Sequence, residues 1–230
     1  MKSMKNKIGK YIVVLGCLCI VAAAVITFYN MYDDARASYA IVEENEKLTK
    51  LVLSPHVLKQ RLDERSTQNS DTPADTAAPS EEPFVYREMP TLNIDGVDYV
   101  AILSIPSLGL EFSVRNEWSY PGLKKSPCRY TGSAYMNDLV ICAHNFSSHF
   151  GRLKELEPGA EVLLVDMKGA LFTYSVETVE QLAPFETVRM TDSEYDLTLF
   201  TCTIGGRNRV TVRCRLVEMA EPIDETTEEP

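Results

Sequence analysis

The stretch that most limits what this chain can become is "YIVVLGCLCIVAAAVITF", residues 11–28, eighteen residues without a charge. A helix made of it has no polar face to turn to water, so it cannot be a surface helix of a globular core. At 1.5 Å per residue it is close to the length that crosses a bilayer. Lys2, Lys5, Lys7 and Lys10 precede it, and Asp33 and Asp34 follow. Basic residues stay on the cytoplasmic side, which puts the N-terminus inside and everything after Asn30 outside. A cleaved leader is the rival, because Ala35-Arg36-Ala37 has the small-x-small pattern of a cleavage site. The apolar run is longer than a usual leader's and ends well before that site. A retained anchor over 11–30, behind a basic tail over 1–10, is therefore expected.

Residues 31–65 are polar with spaced apolar positions (Tyr39, Val42, Leu48, Val52, Leu58, Leu62). They predict a membrane-proximal helical stalk, interrupted at Pro55 and solvated. "STQNSDTPADTAAPSEEP", residues 66–83, has no large apolar residue and predicts a flexible linker that carries the working domain away from the lipid. Residues 220–230 predict an acidic tail. Between them, 84–219 should fold. "YVAILSIPSLGLEFSV" gives two strands split by a Pro-Ser-Leu-Gly turn. "DLVICAH" gives a buried strand, and "AEVLLVDMKGALFTYSVETVEQL" a hairpin. "LTLFTC" and "RVTVRC" form a last pair across a Gly-Gly turn. Only "SHFGRLKEL" and "TDSEYD" read as helical or turn-like. Many short strands predict a mostly β, closed or sandwiched architecture. The balance of 23 basic against 33 acidic side chains, net −10, argues against a nucleic-acid partner. The six cysteines form no CxxC pair, which excludes a zinc ribbon or a disulfide scaffold.

The chemistry concentrates in few residues. Cys202 ends one strand, His144 ends another, and Arg209 opens the strand after the Gly-Gly turn. A thiol nucleophile needs a partner to take and return its proton, and imidazole does both near neutrality. Acyl transfer also builds charge on a carbonyl oxygen, which a guanidinium can meet. Alternation along the last strand puts Arg209 and Arg213 on one face. Arg213 lies too far from the rim, and Arg207 lies in the turn, so Arg209 ranks first. Thr201 and Asn145, flanking the two reactive residues, are candidate substrate-binding residues, although Thr201 alternates away from Cys202. His149 is expected to be solvated. Cys142, His144 and Cys202 offer only three ligands, so neither a metal nor a cofactor is expected. Cys128, Cys142 and Cys214 could include a disulfide, or stay reduced and buried.

The same residues carry a family resemblance. "TLFTC" resembles the Thr-Leu-x-Thr-Cys signature of sortases, the cysteine transpeptidases of Gram-positive cell surfaces. "LSIPSLGLEFSV" is similar to the opening of the sortase barrel, and "LVICAHN" to its histidine strand. "SHFGRLKELEPGAEV" resembles the stretch that follows, and "RVTVRC" the strand of the catalytic arginine. One departure is Ala143, where the family usually has glycine before the histidine. The resemblance implies an eight-stranded closed β-barrel with short helices. It makes Cys202 the nucleophile, His144 the general acid and base, and Arg209 the group that steadies substrate and oxyanion. It implies cleavage of a Leu-Pro-x-Thr-Gly-like C-terminal sorting signal through a thioester. The acceptor would be an amine of a cell-wall precursor or a pilin, at the outer face of the membrane. The segment before "LTLFTC" is short, which suits the compact-loop classes A or D better than B. Two rivals are a papain-like wall peptidase, which would place Cys before His in the chain, and an anchored β-domain that only binds.

Overall fold

A computed structural model describes residues 2–68, 86–191 and 194–222. Two helices come first, α1 (Lys2–Thr49) and α2 (Pro55–Gln68). Nine strands follow: β1 (Leu92–Ile94), β2 (Val97–Ile105), β3 (Leu110–Arg115), β4 (Cys128–Thr131), β5 (Leu139–Cys142), β6 (Glu161–Asp166), β7 (Leu171–Leu182), β8 (Leu197–Cys202) and β9 (Arg209–Ala220). Short helices α3 (Tyr120–Leu123) and α4 (Thr187–Thr191) and three 3₁₀ turns lie in the connections. The Pro-Ser-Leu turn, the β6–β7 hairpin and the β8–β9 pair stand where the sequence places them. The expected linker, 66–83, lies outside the described residues beyond Gln68, as does the acidic tail beyond residue 222.

The strands are hydrogen-bonded in the order β1-β2-β3-β4-β5-β8-β9-β7-β6, and β6 pairs back onto β2. Eight strands therefore close into a ring, and β1 adds a short hairpin outside it. The eight-stranded closed architecture that the resemblance implies is present in this ring. Most neighbours are antiparallel; β5 runs parallel to β8, and β3 meets β4 in parallel at the single pair Arg115↔Cys128. Alternation fills the ring. Phe112 and Val114, Val162 and Leu164, Phe172 and Tyr174, and Val210 and Val212 all belong to one buried cluster. Residues two apart on a strand share a face, so each strand offers every second side chain to this core.

The stalk departs from expectation. α1 runs unbroken from the apolar stretch to Thr49, and its second half packs on the ring instead of standing in solvent. Ala37, Ile41, Glu44 and Leu48 are buried, whereas Tyr39 and Val42 are exposed. The spacing of four, three and four residues is one helical stripe. Polar contacts fix the docking. The Arg115 guanidinium donates to both carboxylate oxygens of Glu44, through Nε and Nη2. The Asn45 amide donates to the Glu111 carbonyl at 2.6 Å and accepts from the Ser113 N–H at 2.6 Å. The helix then breaks over 50–54, and Pro55 occupies the first position of α2, where its missing N–H costs nothing.

Candidate active site

Three neighbouring strands supply the reactive residues. β8 and β9 are antiparallel, and their last register pair is Cys202↔Arg209. The turn between them sets that register. Gly205 and Gly206 both take positive φ, 82° and 70°, a region costly for other residues. Thr203 N–H donates to the Asn208 carbonyl at 2.9 Å, and Asn208 N–H donates back to the Thr203 hydroxyl at 3.0 Å. On the other side β5 runs parallel to β8, with Cys142 opposite Phe200. Ala143 N–H continues that ladder to the Phe200 carbonyl at 3.2 Å. His144 follows two residues past the end of β5, at the same end of the ring as Cys202 because the two strands run parallel. The Ala143 methyl is absorbed in the core cluster, so the departure from glycine leaves the strand end in line.

The loop after His144 is folded back tightly. Phe150 N–H donates to the His144 carbonyl at 3.1 Å, and the Phe146 carbonyl accepts from both His149 and Gly151. A Cβ at Gly151 would sit 2.5 Å from the Asn145 carbonyl oxygen, so only glycine lets the chain pass there. α1 clamps the same loop. Asp34 accepts from the Ser147 N–H at 2.9 Å and from its hydroxyl at 2.5 Å.

The His144 ring is half-buried, and its Nε2 has no hydrogen-bond partner among the described residues. Burial, aided by the Lys124 ammonium, holds its imidazole below the ordinary 6.5, with Asp33 opposing. It is therefore neutral at neutral pH and able to take a proton. Cys202 is half-exposed. The other three thiols of the domain are buried and free. Burial raises Cys128 to about 11 and lifts Cys142 and Cys214 further, so none of them is a nucleophile. Cys128 and Cys142 face each other across β4 and β5.

Arg209 is half-buried, and its Nη1 donates to the carbonyls of Gly206 and Asn208, each at 3.2 Å. Arg207 is exposed in the turn. Arg213 is buried and engaged. It pairs with Glu180 at 3.0 Å and donates to the Thr198 hydroxyl at 2.9 Å and to the Met190 carbonyl at 3.3 Å. It stitches β9 to the β7–β8 connection and has no free fork for a substrate. Thr201, a candidate substrate contact, is buried, and its hydroxyl donates to the Ala143 carbonyl at 2.8 Å. It ties the ends of β5 and β8 together instead of facing the mouth. Asn145 is half-buried beside His144. Among the described residues no cluster of three or more His, Cys, Asp or Glu is arranged to hold a metal ion.

His149 corrects the expectation of a solvated ring. It is wholly buried, under α1 and edge-on to Phe146 at 5.3 Å. Burial pushes its imidazole down to about 4, the neighbouring His144 adding to the effect and Asp34 and the Ala37 backbone opposing it. Above 6.5 the folded and unfolded states both carry it neutral, so it contributes no pH dependence there. Between 6.5 and about 4 the unfolded chain takes up the proton first, and stability falls by an amount on the order of 3 kcal/mol. The Tm of the wild type should therefore drop further between pH 7 and pH 4 than that of His149→Phe. Parallel Tm–pH curves for the two would refute this burial cost.

Nothing local in the chain marked Asp33, Asp34, Lys124 or Ser147 as neighbours of His144. Their signal was the buried helical stripe through Ala37 and Ile41, which two more conspicuous apolar residues, Tyr39 and Val42, obscured.

The chain is similar to known proteins over this domain. The family model described as the Sortase domain matches residues 103–217. Similar solved structures include a sortase D5 transpeptidase from Clostridium perfringens, with 17% identity, 80% of this chain and 99% of that one covered, and a TM-score of 0.49. A sortase E from Streptomyces avermitilis has 24% identity, coverage of 53% and 90%, and a TM-score of 0.45. A lid mutant of sortase A from Corynebacterium diphtheriae has 20% identity, coverage of 56% and 74%, and a TM-score of 0.46. No curated protein sequence matches.

Proposed function

This chain belongs to the sortase family, and from that premise we propose that it cleaves a C-terminal Leu-Pro-x-Thr-Gly-like signal through a thioester on Cys202 and passes the acyl group to an amine. The observation that carries the reading is the rim of three adjacent strands, with Cys202 paired to Arg209 and His144 two residues past the end of the neighbouring, parallel β5. Neutral His144 takes the thiol proton. The sulfur attacks the threonine carbonyl carbon, and the C–S bond forms as charge builds on the oxygen, where Arg209 serves it. His144 then gives its proton to the departing amine as the C–N bond breaks. An amine of a wall precursor or pilin attacks the thioester in the same way. It loses a proton to His144, and the thiol regains that proton as the C–S bond breaks. Asn145, next to His144 in the chain, would meet substrate. Thr201 acts as a positioning residue through its bond to Ala143. The β7–β8 connection holds the five-residue α4 among its described residues, which supports a compact-loop class.

The test uses the full chain in detergent or nanodiscs, offered a panel of quenched sorting-signal peptides with and without an amine. A thioester adduct by mass spectrometry and an amine-dependent ligated product are expected. A panel with neither, from folded protein, would reject the reading.

One helix of the described residues is long and apolar enough to cross a membrane. Its lysine-rich start and Asp33-Asp34 finish support an N-terminus inside and a catalytic domain outside. Trypsin added to intact cells should then remove the domain and leave the span in the membrane fraction. Digestion only after lysis would reverse the orientation.

A further inference from the structure

His144 has a neighbour on each side. β8, which ends in Cys202, flanks one side of β5, and β4 flanks the other. The β3–β4 connection, which holds α3, comes to His144 from the β4 side, and its Lys124 is near enough to act on the imidazole. α1 closes the same side. Its Asp33 acts on the imidazole too, and its Asp34 binds Ser147. Between α1 and the connection is a cavity of about 320 Å³. Phe146 forms part of its wall, and the Phe146 ring centroid stands 5.2 Å from that of His144. The cavity is thus one ring away from the group that moves the proton.

Its charges are unbalanced. Arg36 of α1, with Lys124 and Lys125 just after α3, lines it against the single carboxylate of Asp33. Among the described residues none of these three cations is held in an ion pair. Like charges gathered without partners repel one another and draw an anion. This happens in a chain whose net charge is −10, so the cluster is not the overflow of a basic surface. Pro121 and the Phe146 ring make an apolar part of the wall. Such a site suits a small organic anion. Its carboxylate meets the cations, and its carbon chain lies on the proline and the ring. A guanidinium adds a planar fork that matches the two oxygens of a carboxylate.

We propose that this cavity receives the second substrate, and that this substrate is an amine bearing a carboxylate. The inference rests on the reading of the chain as a transpeptidase and names the class of its acceptor. The acyl group, joined to Cys202 and served by Arg209, occupies the β8–β9 side. The amine enters past His144 from the other side. Its nitrogen attacks the thioester carbon and gives a proton to His144. The C–N bond is then complete, the C–S bond breaks, and the sulfur takes that proton. The carboxylate stays charged on Arg36, Lys124 and Lys125 throughout, and its contribution is position. Because α1 supplies Arg36, the helix that precedes the ring is part of the acceptor site.

The full chain in detergent, with a sorting-signal peptide that it cleaves, is offered glycine, β-alanine and diglycine, each as the acid and as its amide. Each pair is compared at equal concentration of unprotonated amine, because the amide's nitrogen is the less basic. At least one acid should show a KM roughly tenfold below that of its amide, the effect of one charge-assisted contact. Arg36→Glu combined with Lys125→Glu should bring that ratio to one or invert it, read within the same variant so that a general loss of rate cancels. Salt at about 1 M should shrink the ratio in the wild type, with no variant needed. Equal KM for acid and amide in every pair, with ligated product formed, would overturn the inference and leave the transpeptidase standing. So would a ratio that survives the charge reversal, or a thioester that none of these amines resolves. A folded chain that forms neither thioester nor ligated product would remove the transpeptidase and the acceptor site together.

Discussion

Cys202→Ala is expected to leave no thioester and no cleavage of any sorting-signal peptide that the wild type accepts, with the fold unchanged. Cys202 is half-exposed at the end of β8, so trimming its sulfur opens no core cavity. No other thiol can replace it. Cys128, Cys142 and Cys214 are buried, and burial holds each of them protonated. Cys17 and Cys19 lie in the apolar stretch, at the other end of a long helix. The loss should thus be complete, because covalent catalysis without its nucleophile has no residual route through the same intermediate. The paired observation is alkylation: iodoacetamide on the native full chain should mark Cys202 before any other thiol of the domain. Turnover that survives Cys202→Ala, or a native Cys202 that resists alkylation, would return the domain to the status of a binding module.

The second large effect is at Arg209. Arg209→Ala should lower kcat/KM by roughly 10²–10³, the usual cost of removing one oxyanion donor. Arg209→Lys should recover only part of this, because an ammonium lacks the planar fork. Arg207→Ala should change little, since Arg207 is exposed in the turn. Arg213→Ala should act through the fold instead. It strips Glu180 of a buried partner and leaves the Thr198 hydroxyl and the Met190 carbonyl without their donor. A fall in Tm with Arg213→Ala, against a fall in rate at constant Tm with Arg209→Ala, separates the two arginines. An Arg209→Ala enzyme with wild-type kcat/KM would refute the assignment.

The register of this hairpin was readable in the sequence because its determinants are local. Two glycines fix the turn, and alternation on either side does the rest. The strand before His144 was readable for the same reason, as a short apolar run, although it ends at Cys142, two residues earlier than expected. The docking of α1 was not. Its buried stripe mixes alanine and glutamate with isoleucine and leucine, and Glu44 tolerates burial only because Arg115, far along the chain, pairs with it. A charge whose partner is that distant carries no local signal. His149 failed with it, since a ring in a polar "FSSHF" loop becomes buried only once the helix lies over it. β1 and β4, of three and four residues, were also missed, being too short for a pattern to show.

The contact of Asn45 with β3 has a consequence for any shortened form of the protein. β3 meets β4 at one residue pair only, so most of its far side would be a bare strand border. Asn45 closes it by imitating a neighbouring backbone, with its amide on the Glu111 carbonyl and its oxygen on the Ser113 N–H. A domain cut free at residue 84 loses that surrogate. The unmet carbonyl and amide then form a template for strand addition, the feature that drives edge-to-edge association of sheets. The helix that packs against the ring is thus also the piece that covers this strand border.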